Sequence, residues 1–147
     1  MIRFKANLSP TSLNELAMQL TKYTQDLEAA KAEIVETLTN YVYQQIMLYV
    51  PVKTGALKSS FIKEISSDIG RVYTDLYYAK FVEFGTGIKG SASSYDINKI
   101  QISDAWRGYD EEFSGQTAKK FIYKAVLDLE TNYVELARNA LKQKGLI

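Results

Sequence analysis

Between Pro10 and Pro51 the chain has neither glycine nor proline. Through that stretch Leu13, Leu16, Ala17, Leu20, Leu27, Ile34, Leu38, Tyr41, Val42, Ile46 and Tyr49 recur at the spacings that line one face of an α-helix. The pattern predicts a helix over 9–50, begun by Ser9 with Pro10 or by a Ser12/Glu15 capping box, with residues 37–40 as the place where a break would fall. At 1.5 Å per residue, about 35 helical residues reach about 50 Å. That is more than a small sheet in a single 147-residue domain needs as cover. Either the helix folds back as a hairpin, or part of it packs on another chain.

Pro51 ends the pattern, and Thr54-Gly55 supplies a turn. Residues 56–75 predict an antiparallel hairpin, with strands over 57–65 and 69–74 and the turn at Asp68 to Gly70. Residues 76–86 predict a short helix on Tyr78, Phe81, Val82 and Phe84, stopped by Gly85 in the positive-φ role glycine takes past a helix end. From 87 to 116 the periodicity dissolves into polar, turn-rich sequence around Trp106, the only tryptophan, which predicts a long mobile loop. Residues 117–144 then carry an apolar stripe on Phe121, Ile122, Ala125, Leu129, Tyr133, Leu136, Ala137, Ala140 and Leu141, with Thr117 as the expected cap. The expected fold is α+β in one domain over 1–147: a long N-terminal helix, a small antiparallel sheet, the loop, and a long C-terminal helix packed on the sheet.

Gly85, Gly87 and Gly90 spell G-x-G-x-x-G, and Asp110 lies where a ribose-binding acid would be sought. A dinucleotide loop must follow a buried strand and open a helix, so that free N–H groups meet the pyrophosphate. Here a helical turn precedes Gly85 and no strongly amphipathic segment follows Gly90, so the context fails. There is no histidine and no cysteine, which removes the usual general base, the usual nucleophile and most transition-metal ligand sets. The adjacent acids Asp110, Glu111 and Glu112 form a solvated run rather than two carboxyls set across a substrate. Glu83, among Phe81, Val82 and Phe84, is the one carboxylate in apolar company. A pairing or backbone-capping role suits it better than catalysis. With 18 Lys+Arg against 17 Asp+Glu, no whole-molecule field draws the chain to nucleic acid or to an anionic membrane, although a local patch is compatible with that balance. The 11 tyrosines exceed what an ordinary core needs and suit surfaces that become buried on association.

Two segments together resemble a known family. "YVPVKTGALKSSF", from Tyr49, and "YYAKFVEFGTG", from Tyr77, followed by "KKFIYKAV" at the head of the last helix, are similar to the neck and tail-completion proteins of long-tailed, lambdoid-type bacteriophages. Pro51, Val52, Thr54, Gly55, Ala56 and Leu57 match the first motif, with Lys53 where an aspartate is common. Tyr78, Ala79, Val82, Glu83, Gly85 and Thr86 match the second. In the third, Phe121 and Ala125 are kept while Lys120 and Lys124 stand in place of prolines.

The resemblance implies a non-enzymatic structural protein of the virion, assembled in the bacterial cytoplasm, that joins the DNA-filled head to the tail. It implies no cofactor and no metal. Its partners would be copies of itself in a ring around the DNA channel, other connector and tail proteins, and DNA at most weakly, with no membrane. The motif residues are expected to serve structural and subunit contacts, and Lys89, Lys99, Trp106 and Arg107 in the loop to meet a neighbour or the channel. Two alternatives are a tail terminator or minor head protein of the same phage, and a non-viral helical interaction module that dimerises through its long helix. A third is a small enzyme acting through Glu83 or through Asp110, Glu111 and Glu112.

Overall fold

The computed structural model describes residues 11, 14, 15, 18, 27–53, 55–92 and 113–147. Helix α1 spans Leu27–Tyr49 and continues unbroken through residues 37–40. Ala56–Ser59 forms a single helical turn, α2. Strands β1, Ile62–Ile65, and β2, Gly70–Tyr73, pair antiparallel with Ile62 opposite Tyr73 and Ile65 opposite Gly70. Short helices α3, Ala79–Phe84, and α4, Gly87–Ser91, precede the C-terminal helix α5, Phe121–Gln143. The architecture is α+β, as the alternation of helical and strand-length patterns predicts.

Helices α1 and α5 have 23 residues each, about 35 Å of helix, and lie antiparallel as the main packing unit. Ile46 and Val50 near the end of α1 meet Phe121, Ile122, Ala125 and Val126 at the start of α5, together with Leu57, Phe61 and Ala79. At the far end Ala30 meets Leu141, with Ile34, Leu146 and Ile147 around them. The Phe61 and Phe121 rings meet edge to face at 5.9 Å, in the favoured arrangement for an aromatic pair.

Three expectations change. The C-terminal helix packs chiefly on α1, and the hairpin also lies on α1, so the sheet is not the seat of α5. The reason is size: two four-residue strands, β1 exposed along its whole length, offer too little apolar face to cover a 23-residue helix. The hairpin is also shorter than 56–75, because Ala56–Ser59 coils and buries Leu57 instead of extending. Gly55, at φ +80°, turns the chain into that coil. Finally, the segment expected as loop begins with the ordered turn α4, and its far end returns as a bridge between Thr86 and Gln116.

The hairpin turn is Ser66 to Ile69, closed by Ser66 N–H donating to the Ile69 carbonyl at 2.9 Å. Gly70 is therefore the first residue of β2, and its role is close approach. A Cβ there would lie 1.6 Å from Oγ1 and 2.8 Å from Cβ of Thr39, which is buried in α1 with its hydroxyl donated to the Val35 carbonyl. Gly70→Ala must push the hairpin off α1 or turn Thr39 away from its acceptor. A loss of about 1–2 kcal/mol in urea unfolding is expected. Adding Thr39→Ala should recover part of it, and a double variant as unstable as Gly70→Ala alone would refute the contact.

Candidate functional site

Glu83, Gly85 and Thr86 of the second motif meet at one joint, where α3 ends and α5 begins. The buried face of α5 must start next to the core, so the first N–H groups of that helix are out of reach of water and need acceptors. Its N-cap residue, Lys120, makes no side-chain cap bond and sits at φ 52°. It is the only non-glycine residue with positive φ among those described. The expected cap at Thr117 is replaced by a distant one. Glu83, fully buried, accepts from Ile122 N–H through Oε2 at 2.8 Å and from Tyr123 N–H through Oε1 at 3.1 Å. A carboxylate at this place also lies in the favourable field of the helix N-terminus.

The backbone reinforces the same joint. The Val82 and Glu83 carbonyls, left over at the end of α3, accept from Lys119 N–H at 2.9 Å and Lys120 N–H at 3.1 Å. Gln116 donates its side-chain amide to the Phe81 carbonyl at 2.9 Å, and its main chain exchanges bonds with Thr86 in both directions. Thr86 Oγ1 also accepts from Gln116 N–H. So the chain that leaves at Thr86 is pinned to the chain that returns at Gln116.

Gly85 makes this closeness possible. It adopts φ 76°, ψ −176°, a region essentially reserved for glycine. A Cβ there would lie 2.4 Å from the Gln116 carbonyl oxygen, 2.7 Å from Ala118 N and 2.9 Å from Gly90 Cα. The G-x-G-x-x-G letters thus follow a helix, and the space beside Gly85 is filled by the returning backbone.

Residues 14–85 match a family model described as Bacteriophage HK97-gp10, putative tail-component. The match covers just under half of the chain and makes this segment similar to that family. No curated protein and no solved structure matches the chain. The HK97-gp10-like segment takes in α1, the first motif, the hairpin and the second motif up to Gly85. It stops where the chain departs at Thr86, and α5 lies beyond it. Glu83, inside the segment, therefore holds a helix outside it. What the match supports is a structural component of a bacteriophage tail.

The other motif residues divide between core and surface. Leu57 and Ala79 are buried in the main cluster, with Tyr78 and Val82 packed half-buried against it. Pro51 is half-buried and ends α1, while Val52 is 64% exposed. Lys89 is exposed on α4, with its N–H donated to the Ser114 carbonyl at 3.1 Å. Thr54, Lys99, Trp106, Arg107, Asp110, Glu111 and Glu112 lie outside the described residues. Sequence reasoning passed over Gln116 and Gly115. Gly115 has φ +70°, and a Cβ on it would sit 1.8 Å from the Thr86 carbonyl oxygen. The "SGQ" step before a helical stripe was the available signal.

A side-chain contact adds a second fastening between the long helices. The Tyr49 hydroxyl donates to Oδ2 of Asp128, and this bond, with some burial, raises the tyrosine above its ordinary pKa. Because the folded value is the higher one, the contribution is fully present below the ordinary tyrosine range and fades only as pH rises through the folded value. Tyr49→Phe should thus leave pH 6–8 stability slightly lower and remove an alkaline inflection from the pH dependence of the melting temperature. An unchanged alkaline limb would show that the bond does not contribute. Among the described residues no group of His, Cys, Asp and Glu is placed to hold a metal ion, and no helix is long and apolar enough to cross a membrane.

Proposed function

We propose that this tail component is a neck or tail-completion subunit that joins the DNA-filled head to the tail as part of a homo-oligomeric ring around the DNA path. The observation that carries the reading is the use of the second motif. Its one buried carboxylate is consumed in capping α5, and its glycine in admitting backbone, so the residues that identify the family build a rigid joint rather than a reaction centre. That use of Glu83 supports a non-enzymatic role.

The surface supports assembly with neighbours. The hairpin has two strands only, so among the described residues both outer edges are unpaired. Ile62, Ile65 and Ile69 on it are 45%, 40% and 54% exposed. Open edges with apolar side chains are what a neighbouring subunit covers. Ile65→Lys is expected to leave the melting temperature within about 0.5 kcal/mol equivalent of the parent. It should also abolish ring formation in analytical ultracentrifugation, and rings at parental yield would remove the hairpin from the interface.

Electron microscopy of a lysate in which this gene carries a nonsense codon tests the role itself. DNA-filled heads beside separate tails of normal length are expected. Separate tails of irregular, excessive length would assign tail termination instead, and intact infectious particles would overturn the structural reading.

A further inference from the structure

The register of the hairpin separates its two faces. Gly70 lies against Thr39 of α1 and Val72 packs on the main core cluster, so these two and their cross-strand partners Ile65 and Lys63 face α1. Lys63 agrees with this, since its ammonium donates to Oδ1 of Asn40 at 2.6 Å and stands 5.1 Å from the Tyr43 ring. The outer face is therefore Ile62 opposite Tyr73 and Glu64 opposite Arg71. Across that face the Tyr73 hydroxyl donates to Oε1 of Glu64 at 2.8 Å, while Arg71 forms no ion pair among the described residues.

The Ser66 to Ile69 bond at the turn fixes which backbone groups point outward. Bonded pairs alternate with non-bonded ones along an antiparallel ladder, so Glu64 with Arg71 and Ile62 with Tyr73 are the bonded pairs inside the hairpin. The N–H and C=O groups of Lys63 and Ile65 then point out from the free edge of β1, and those of Gly70 and Val72 from the free edge of β2. These outward groups meet no partner among the described residues. An open edge of this kind is a template for another strand.

We infer that successive copies of this chain join hairpin to hairpin, with β2 of one copy antiparallel to β1 of the next in the register each hairpin uses internally. Across the boundary Val72 meets Lys63 of the next copy and Gly70 meets its Ile65. These are the residues with free backbone groups, so they become the bonded pairs. Arg71 meets Glu64 of the next copy and Tyr73 meets its Ile62, at non-bonded positions, where side chains approach most closely. Charge selects this order of edges. The outward groups of β1 sit on residues 63 and 65, so overlapping a second β1 antiparallel sets Glu64 on Glu64 or Lys63 on Lys63. Overlapping two β2 strands sets Arg71 on Arg71 or on Tyr73, with no acid in reach along either strand. Like charges directly opposite destabilise a sheet and opposite charges stabilise it, so only the β1-to-β2 contact gives Arg71 a carboxylate. That contact is also head-to-tail, uses both edges of every copy and closes into a ring. The inference rests on the homo-oligomeric ring of the proposed function.

The test exploits a chain without cysteine. Ile62→Cys and Tyr73→Cys are purified separately as full chains, mixed in equal amounts, oxidised and run on a non-reducing gel. Non-bonded antiparallel positions bring Cα atoms to about 4.5 Å, inside the range a disulfide spans. A disulfide-linked dimer is expected from the mixture and from neither variant alone. Ile62→Cys mixed with Lys142→Cys, at the exposed end of α5, should give no product. In sedimentation velocity, Glu64→Arg and Arg71→Glu should each form rings at least about 10-fold less readily than the parent. Mixing the two should restore rings, because each offers the other an opposite charge while its own hairpin stays like-charged. Circular dichroism melts establish that these variants are folded. Rings without the mixed disulfide, a disulfide from either cysteine variant alone, or folded charge variants that do not recover on mixing would each overturn the edge pairing. Such a failure with parental rings present removes the hairpin contact alone, whereas a parent chain that sediments only as a monomer removes the ring reading as well.

Discussion

Gly85→Ala is expected to cost about 3–5 kcal/mol, enough to leave a domain of this size marginal at 37 °C. Two independent penalties combine. The backbone angles, φ 76° and ψ −176°, lie where an L side chain is strained by about 1–3 kcal/mol. The added Cβ also meets the Gln116 carbonyl at 2.4 Å and Ala118 N at 2.7 Å. Both are main-chain atoms tied into bonds with Thr86 or next to the bonds with Val82 and Glu83, so neither can step aside cheaply. Relief by displacement would open the seam between α3 and the approach to α5. The measurement is urea unfolding followed by amide exchange. Exchange should quicken at Thr86, Gln116, Lys119 and Lys120 before it quickens in the middle of α1. Stability within about 1 kcal/mol of the parent would mean that the seam yields easily and that Gly85 is there only to stop a helix. Gly85→Ser should do as badly, since the Cβ is common to both.

That glycine also shows where a sequence stops being legible. Both long helices could be seen, because α1 and α5 repeat their apolar residues over many turns with nothing to interrupt them. The short helix before Gly85 was visible for a related reason, a local apolar cluster with a glycine stop. What escaped was everything decided by partners far away in the chain. Gly85 looked like a terminator, yet the atoms that require it belong to residues 116–118. Gly70 looked like a turn residue, yet it is small because Thr39 lies beneath it. Leu57 to Phe61 alternated too weakly to distinguish a strand from a coil, and burial of Leu57 in the core decided for the coil. The seat of α5 could not be read either, since its apolar stripe fits a helix as well as a sheet.

Glu83→Ala should be nearly as damaging, at about 3 kcal/mol, and for a reason that separates structure from chemistry. Removing the carboxylate leaves Ile122 and Tyr123 N–H at the buried start of α5 without the acceptor that reaches them from 39 and 40 residues away. Each buried donor left unsatisfied costs about 1–3 kcal/mol, and the favourable charge at the helix N-terminus is lost as well. Lys120 offers no substitute, having no side-chain cap bond of its own. Glu83→Gln keeps the shape and one accepting oxygen but turns an amide N–H₂ toward the other donor, so an intermediate loss of about 2 kcal/mol is expected. Glu83→Asp, one methylene shorter, should resemble alanine more than glutamine because it withdraws the acceptors. The ordering Glu, Gln, then Asp with Ala, read from unfolding midpoints, is the signature of a cap. On the proposed reading, head–tail joining should follow the same order and recover at reduced temperature, since only the folded population is affected. A Glu83→Gln protein of parental stability that no longer supports phage growth would contradict the capping role and give the carboxylate back to chemistry.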